Sequence, residues 1–404
     1  MDIGQFGGEK GTGTEHMIVC LLDRVLQMLD RNPDQSAVFA ASVDWSAAFD
    51  RQDPTLAIKR FIEIGVRPAL IPILVSYLAE RQMKVKFNGE ESDVLPLIGG
   101  GPQGTLLGQI MYLVQSNDNA DMVDPDDRFK YIDDLSILHI VSLAGLLSSY
   151  NFRSHVASDI GVDQLYLPAS NFQTQTHLDA IAEWTANNLM KINEAKSNYM
   201  VFSRTKTNFV TRLNVNGTKL DQVSSVKLLG VWITEDMSWG KNTREICRKA
   251  YSRISMLTKL KYVGACTEDL IDIYALFIRS CAEYCSVAFH SSLTQDQIRD
   301  IERIQKTSLK IILADKYVDY SSALEMCNLK PLFERREKKC LDFALRCVKH
   351  PKNSRIFPLN PNLTNKSHGV RSRELFKVNF SRTENYKNSA IPYCQRLLNQ
   401  NFET

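Results

Sequence analysis

Phe129-Lys130-Tyr131-Ile132-Asp133-Asp134-Leu135-Ser136-Ile137-Leu138 sets two adjacent carboxylates between two short β-prone runs. The pattern predicts a hairpin with the acids at its tip. Adjacent carboxylates repel one another and raise a pKa unless a cation neutralises them. The same dipeptide also serves as an ordinary turn, so its meaning depends on its companions.

A second acid stands in a comparable place. Ala37 to Val43 is a continuous apolar run that ends at Asp44, followed by Trp45-Ser46-Ala47-Ala48-Phe49-Asp50. Such a run reads as a buried strand, and an acid at its end needs a cation or hydrogen-bond donors to stay ionised at low dielectric. If the two strands are neighbours in one sheet, Asp44 and Asp133 converge on an oxygen-rich site of the kind Mg²⁺ prefers. Two such ions can activate a 3′-hydroxyl and stabilise a leaving pyrophosphate.

Outward from these acids the chain alternates helical and strand patterns. Gly7-Gly8-Glu9-Lys10-Gly11-Thr12-Gly13 predicts a loop, and Ile18, Leu21, Leu22, Val25, Leu26 and Leu29 then recur at helical spacing up to Asn32-Pro33. Helices are expected over 54–63 and 68–79, and Asn88-Gly89 marks a hairpin turn. Another helix is expected over His177 to Leu189, and a strand over Tyr199 to Phe202. Beyond about 240 the pattern is helical and basic: Arg299, Arg303, Lys306 and Lys310 run opposite Ile298, Ile301, Leu309 and Ile312. The final ~50 residues are polar and predict a weakly ordered tail.

Charge is split along the chain. Residues 1–150 hold 12 Lys and Arg against 21 Asp and Glu, a balance of −9, and the remainder carries +12. That division suits a protein collecting cations in one place and a polyanion in another. No apolar run is long enough to span a bilayer, and the first residues lack the basic and apolar regions of a secretory signal. Nine cysteines without a CxxC pair read as reduced thiols. Cys340, Cys347 and His350 lack the second pair that a zinc site needs.

These motifs resemble, in order, those of reverse transcriptases of non-LTR (LINE-type) retrotransposons. Tyr131-Ile132-Asp133-Asp134 is similar to the YxDD box, Asp44 through Asp50 to the first aspartate motif, and Gly101-Pro102-Gln103-Gly104-Thr105-Leu106-Leu107-Gly108 to the box between them. Gln5-Phe6-Gly7-Gly8, Trp184 through Lys196, Leu228-Leu229-Gly230-Val231 and Ile301 through Lys306 resemble flanking family segments, so the likeness spans about 5–350. It implies an α+β fold: a polymerase right-hand palm, an antiparallel sheet packed on helices, with partial fingers and a C-terminal helical thumb-like domain. The expected bounds are 1–35 for the fingers segment, 36–235 for the palm, 236–350 for the thumb-like domain and 351–404 for the tail.

The resemblance further implies an RNA-directed DNA polymerase, a nucleotidyltransferase using Mg²⁺ or Mn²⁺, dNTP, an RNA template and a DNA primer. Asp44, Asp133 and Asp134 would hold the metal, and Lys196 would be the proton donor to pyrophosphate. Trp45, Phe49, Gln103 and Gly104 would line the nucleotide, with Phe49 as the steric gate against a 2′-hydroxyl. Arg244, Arg248, Arg303 and Lys306 would track nucleic-acid phosphates. A nuclear or cytoplasmic site of action follows by analogy.

Several features depart from the family pattern. Fingers motifs expected ahead of Gln5 are missing, Gln109 stands where proline is common, 115–128 is unusually acidic and 139–176 is long. They predict a truncated copy, with a catalytically inactive nucleic-acid-binding relic as the alternative. An RNA-templated RNA polymerase is disfavoured by Phe49 and by Tyr131-Ile132 ahead of the paired aspartates.

Overall fold

The structure is a computed structural model that describes residues 2–31, 36–142, 164–167, 173–204, 208–361 and 374–402. In chain order the principal elements are α1 (Thr14–Arg31), β1 (Ser36–Val43), α2 (Pro54–Glu63), α3 (Ile71–Leu78), α4 (Leu106–Gln115), β2 (Arg128–Tyr131) and β3 (Asp134–Ser142). They continue with α5 (Gln173–Asn187), β4 (Asn198–Ser203), β5 (Asp221–Gln222), β6 (Ser225–Leu228), β7 (Val231–Thr234), α6 (Gly240–Tyr262), α7 (Gln295–Leu313), α8 (Leu332–Lys349) and α9 (Ala390–Phe402). Mixed helix and sheet place the fold in the α+β class. Among the described residues, contacts divide the chain into two units: 1–13, 37–201 and 205–223 in the first, and 14–36, 202–204 and 224–404 in the second.

The first unit is built on a five-stranded sheet in the order β5-β4-β1-β3-β2. β1 lies at its centre, and Ala37, Val38, Phe39, Ala41 and Val43 are buried on both of its faces, which is why that stretch is apolar without alternation. Leu178 and Ile181 of α5 join Phe39, Val43, Leu135, Ile137 and Tyr199 in the main core. A smaller core gathers Ala57, Phe61, Leu78, Met111 and Val114 from α2, α3 and α4. The sheet differs from the expected antiparallel one: β2 and β3 pair antiparallel, but β5 pairs parallel to β4. A hairpin forces antiparallel pairing, whereas the long connection from 204 to 220 lets the chain return and pair in the parallel sense.

Thr105 caps α4 by accepting a hydrogen bond from the Gly108 N–H, so the apolar run from 105 to 114 is helical. Asn88 and Gly89 both take positive φ, 52° and 91°, between the paired residues Phe87 and Glu90. The Asn32-Pro33 stop and most of the long 139–176 segment lie outside the described residues.

The second unit is largely helical. α6 and α7 pack along one another, and Thr294 with Gln297 forms a capping box at the start of α7. The polar composition of 351–404 predicts weak order, yet 390–402 forms α9, which packs on α8 and buries Cys394 and Leu398. A few apolar residues at helical spacing suffice to dock a polar segment once a partner face exists. All nine cysteines are free, with Cys340 and Cys347 buried in the core. No helix among the described residues is long and apolar enough to cross a membrane.

Candidate active site

Asp44 directly follows the central strand, and the segment 191–197 clasps its backbone. The Asp44 N–H donates to Ser197 Oγ at 3.1 Å, the Asp44 carbonyl accepts from the Asn193 N–H at 2.7 Å, and the Ser46 N–H donates to the Lys191 carbonyl at 2.8 Å. Trp45 bridges to Ile192 and donates from its indole to Thr185 of α5 at 3.3 Å. This clasp brings Lys196 Nζ to 3.9 Å from Asp44 Oδ2, while the lysine remains 71% exposed. Asp44 Oδ2 is buried and has no hydrogen-bond partner.

Asp133 and Asp134 sit on the β2–β3 hairpin, where Tyr131 pairs with Asp134. Between them and Tyr131, Ile132 takes φ +57°, a conformation costly for a β-branched residue. Residues 2–8 hold it there. Gln5 bridges alongside Lys130, and Gln5 Oε1 accepts from both the Gly7 N–H at 2.9 Å and the Ile132 N–H at 3.1 Å. A Cβ on Gly7 would lie 2.6 Å from both Ile132 N and Cγ1, so only glycine fits beneath the turn. Asp2 anchors the same segment through ion pairs to Arg128 at 2.9 Å and Lys130 at 2.7 Å. Burial raises the Asp2 carboxyl, but Lys130, the Gly4 N–H and Arg128 together outweigh it and hold the group below its usual range.

β3 neighbours β1, so the three carboxylates share one electrostatic field. Burial first, then Asp133 and Asp44, push Asp134 up to about 6. Asp44 is raised by burial and by Asp133, against the opposing charge of Lys196. The Tyr112 phenol of α4 is also raised by burial and by all three acids, and its buried hydroxyl has no hydrogen-bond partner. Sequence reasoning passed over Tyr112, which looked like one more residue of the apolar segment from Thr105 to Val114. Its ring packs against that of Phe49, centroids 5.0 Å apart.

Gln103 and Gly104 lie on the loop ahead of α4. Gln103 Nε2 donates to Asp50 Oδ1, and the loop is tied back by Gly101 N–H to Phe49 carbonyl at 2.8 Å. Arg81 also donates to the carbonyls of Gly99 and Gly100. Gly104 has φ +75° with no protein atom within 4 Å of a would-be Cβ, so this backbone faces open space.

In the second unit, Arg244 and Arg248 are exposed on α6, and Arg303 and Lys306 on α7. Arg248 pairs with Glu245 at 3.0 Å and Arg303 with Asp300 at 3.1 Å, while Lys306 lies 4.9 Å from the centre of the Tyr320 ring. Among the described residues, no three His, Cys, Asp or Glu side chains form a ready-made metal cage. Mg²⁺ does not require one, because it keeps waters and takes one or two carboxylates together with substrate phosphates. The buried Asp44 Oδ2, which accepts no hydrogen bond, and the mutual repulsion of the three acids fit such an ion.

The chain is similar in sequence to known proteins. Over 261 residues the chain is 26% identical to a probable RNA-directed DNA polymerase from transposon BS of Drosophila melanogaster, covering 63% of this chain and 26% of that protein. Over 321 residues it is 23% identical to the RNA-directed DNA polymerase from mobile element jockey of the same species, covering 76% and 31%. The chain is homologous to RNA-directed DNA polymerases of non-LTR retrotransposons. This homologue spans between a quarter and a third of the length of those relatives. No family model matches it. Among solved structures it aligns with apo telomerase from Candida tropicalis at a TM-score of 0.41 and 10% identity, covering 87% of this chain and 51% of that one.

Proposed function

We propose that the chain is the catalytic part of an RNA-directed DNA polymerase that adds dNTP to the 3′-hydroxyl of a DNA primer on an RNA template. The observation that carries this reading is the shared field of Asp44, Asp133 and Asp134 on adjacent strands of one sheet. In this reading 36–235 is the palm, 1–35 a fingers segment, and 236–350 a thumb-like domain.

Asp44 and Asp133 would hold a divalent cation, Mg²⁺ or Mn²⁺, with Asp134 beside them and the Trp45 carbonyl as a further donor. When bound, the ion would acidify the primer hydroxyl and offset charge on the triphosphate. The protein's own groups do the remaining work. Lys196, held near Asp44, carries a proton for the departing pyrophosphate. Phe49, backed by Tyr112, sets a ring where a ribose 2′-hydroxyl would have to fit. Gln103 and Gly104 present side chain and open backbone to the incoming nucleotide. The exposed Arg244, Arg248, Arg303 and Lys306 supply positive charge for phosphates, with Arg248 and Arg303 exchanging surface partners that contribute little.

The test is dTTP incorporation on oligo(dT)-primed poly(rA) with Mg²⁺ or Mn²⁺, run beside an Asp133→Asn, Asp134→Asn variant. Incorporation by the parent and none by the variant is expected. Equal signals from the two would end the polymerase reading, and template binding without incorporation would favour the inactive relic.

A further inference from the structure

The second unit contains a cavity of about 360 Å³ that plays no part in the site described above. α1 contributes Val19, Leu22, Asp23 and Leu26 to its wall, and Trp239, Ala288 and Ser291 close it from the helical region. Its lining is mixed: apolar side chains of α1 and Trp239 stand on part of the wall, and polar ones such as Ser292, Gln297 and Asn388 on the rest. Lys and Arg are absent from the lining, whereas Asp23, Asp236 and Glu384 all belong to it.

Two of its polar groups are unsatisfied. Asp23 is 7% exposed; Gln27 donates to its Oδ2 and the Tyr386 hydroxyl lies near, but Oδ1 has no hydrogen-bond partner. Ser291 Oγ is likewise buried without a partner. A buried acceptor left without a donor is destabilising, and a buried carboxylate more so.

The other acids are already accommodated. Asp236 accepts from Thr234 Oγ1 and the Ser238 N–H, and the exposed Glu384 pairs with Lys387 at 2.9 Å. Arg24, next in the chain, eases the charge on Asp23 without cancelling the effect of burial. The missing element is therefore a donor bearing positive charge, delivered on an apolar body.

We propose that this cavity binds a small aliphatic ammonium compound, its N–H groups on Asp23 and Ser291 and its methylenes against Leu22, Leu26 and Trp239.

The probe is 1,5-diaminopentane titrated calorimetrically into the full chain, with 1,5-pentanediol as the uncharged match in shape. Saturable binding of one diamine per chain is expected, with none for the diol. Asp23→Asn should weaken the diamine by about tenfold or more, and Leu26→Trp, which fills the space, should abolish it. Circular dichroism checks that each variant is folded, and Ser291→Ala, with a smaller loss expected, stands in if Asp23→Asn is not. The proposal is overturned by no saturable heat up to about 10 mM diamine, by equal binding of the diol, or by folded Asp23→Asn and Leu26→Trp proteins that bind like the parent.

Discussion

Gly7 lies so tightly beneath Ile132 that a single added methyl group would meet the Ile132 backbone nitrogen at 2.6 Å. The N-terminal segment is thus the floor on which the carboxylate turn rests. Gly7→Ala must push the turn or the segment aside, at a cost of roughly 1–3 kcal/mol for overpacking. A lowered melting temperature is expected together with at least a tenfold fall in dTTP incorporation. Wild-type values for both would mean that the turn does not depend on this floor.

Asp134 offers a pH-dependent test. Its carboxyl is held near 6, above its ordinary 3.8, chiefly by burial. Since the folded value is the higher one, the ionised form is penalised in the folded protein. The penalty is complete above about pH 6 and fades as pH falls toward 3.8. Without divalent ions, Asp134→Asn should therefore be more stable than the parent at pH 7.5, by on the order of 1–2 kcal/mol after solvent screening. That advantage should shrink below pH 5 in denaturant titrations. A variant less stable than the parent at pH 7.5 contradicts the assignment.

Lys196 and Asp44 are 3.9 Å apart with the lysine largely in water, so their attraction adds little stability. Lys196→Met should melt within about 0.5 kcal/mol of the parent. If the amine delivers a proton to pyrophosphate, kcat should nevertheless drop by roughly 10². Single-turnover kinetics decide the matter, and an unchanged rate removes Lys196 from the chemistry.

Phe49 rests on Tyr112, which limits where its ring can move. Phe49→Val keeps an apolar side chain but clears the space a ribose hydroxyl would occupy. The ratio of rUTP to dTTP incorporation should rise by roughly 10- to 200-fold. A ratio that stays constant would leave Phe49 as a core aromatic only.

The one-dimensional pattern carried much of this. Continuous apolar character set β1 as a strand buried on both faces, because no face of it reaches water. Two β-prone runs around Asp133-Asp134 made the hairpin, and helical periodicity made α7. These are local preferences, readable wherever neighbours in sequence decide the outcome. The parallel β4–β5 pair, the support of Ile132 by Gly7, the placement of Tyr112 under three acids and the docking of α9 were not readable. Each joins residues far apart in the chain, and an isolated tyrosine, glycine or polar helix looks the same whatever it meets. The acids themselves were evident from sequence; the field they share, and the buried Asp44 Oδ2 within it, arose only when tertiary packing set their strands side by side.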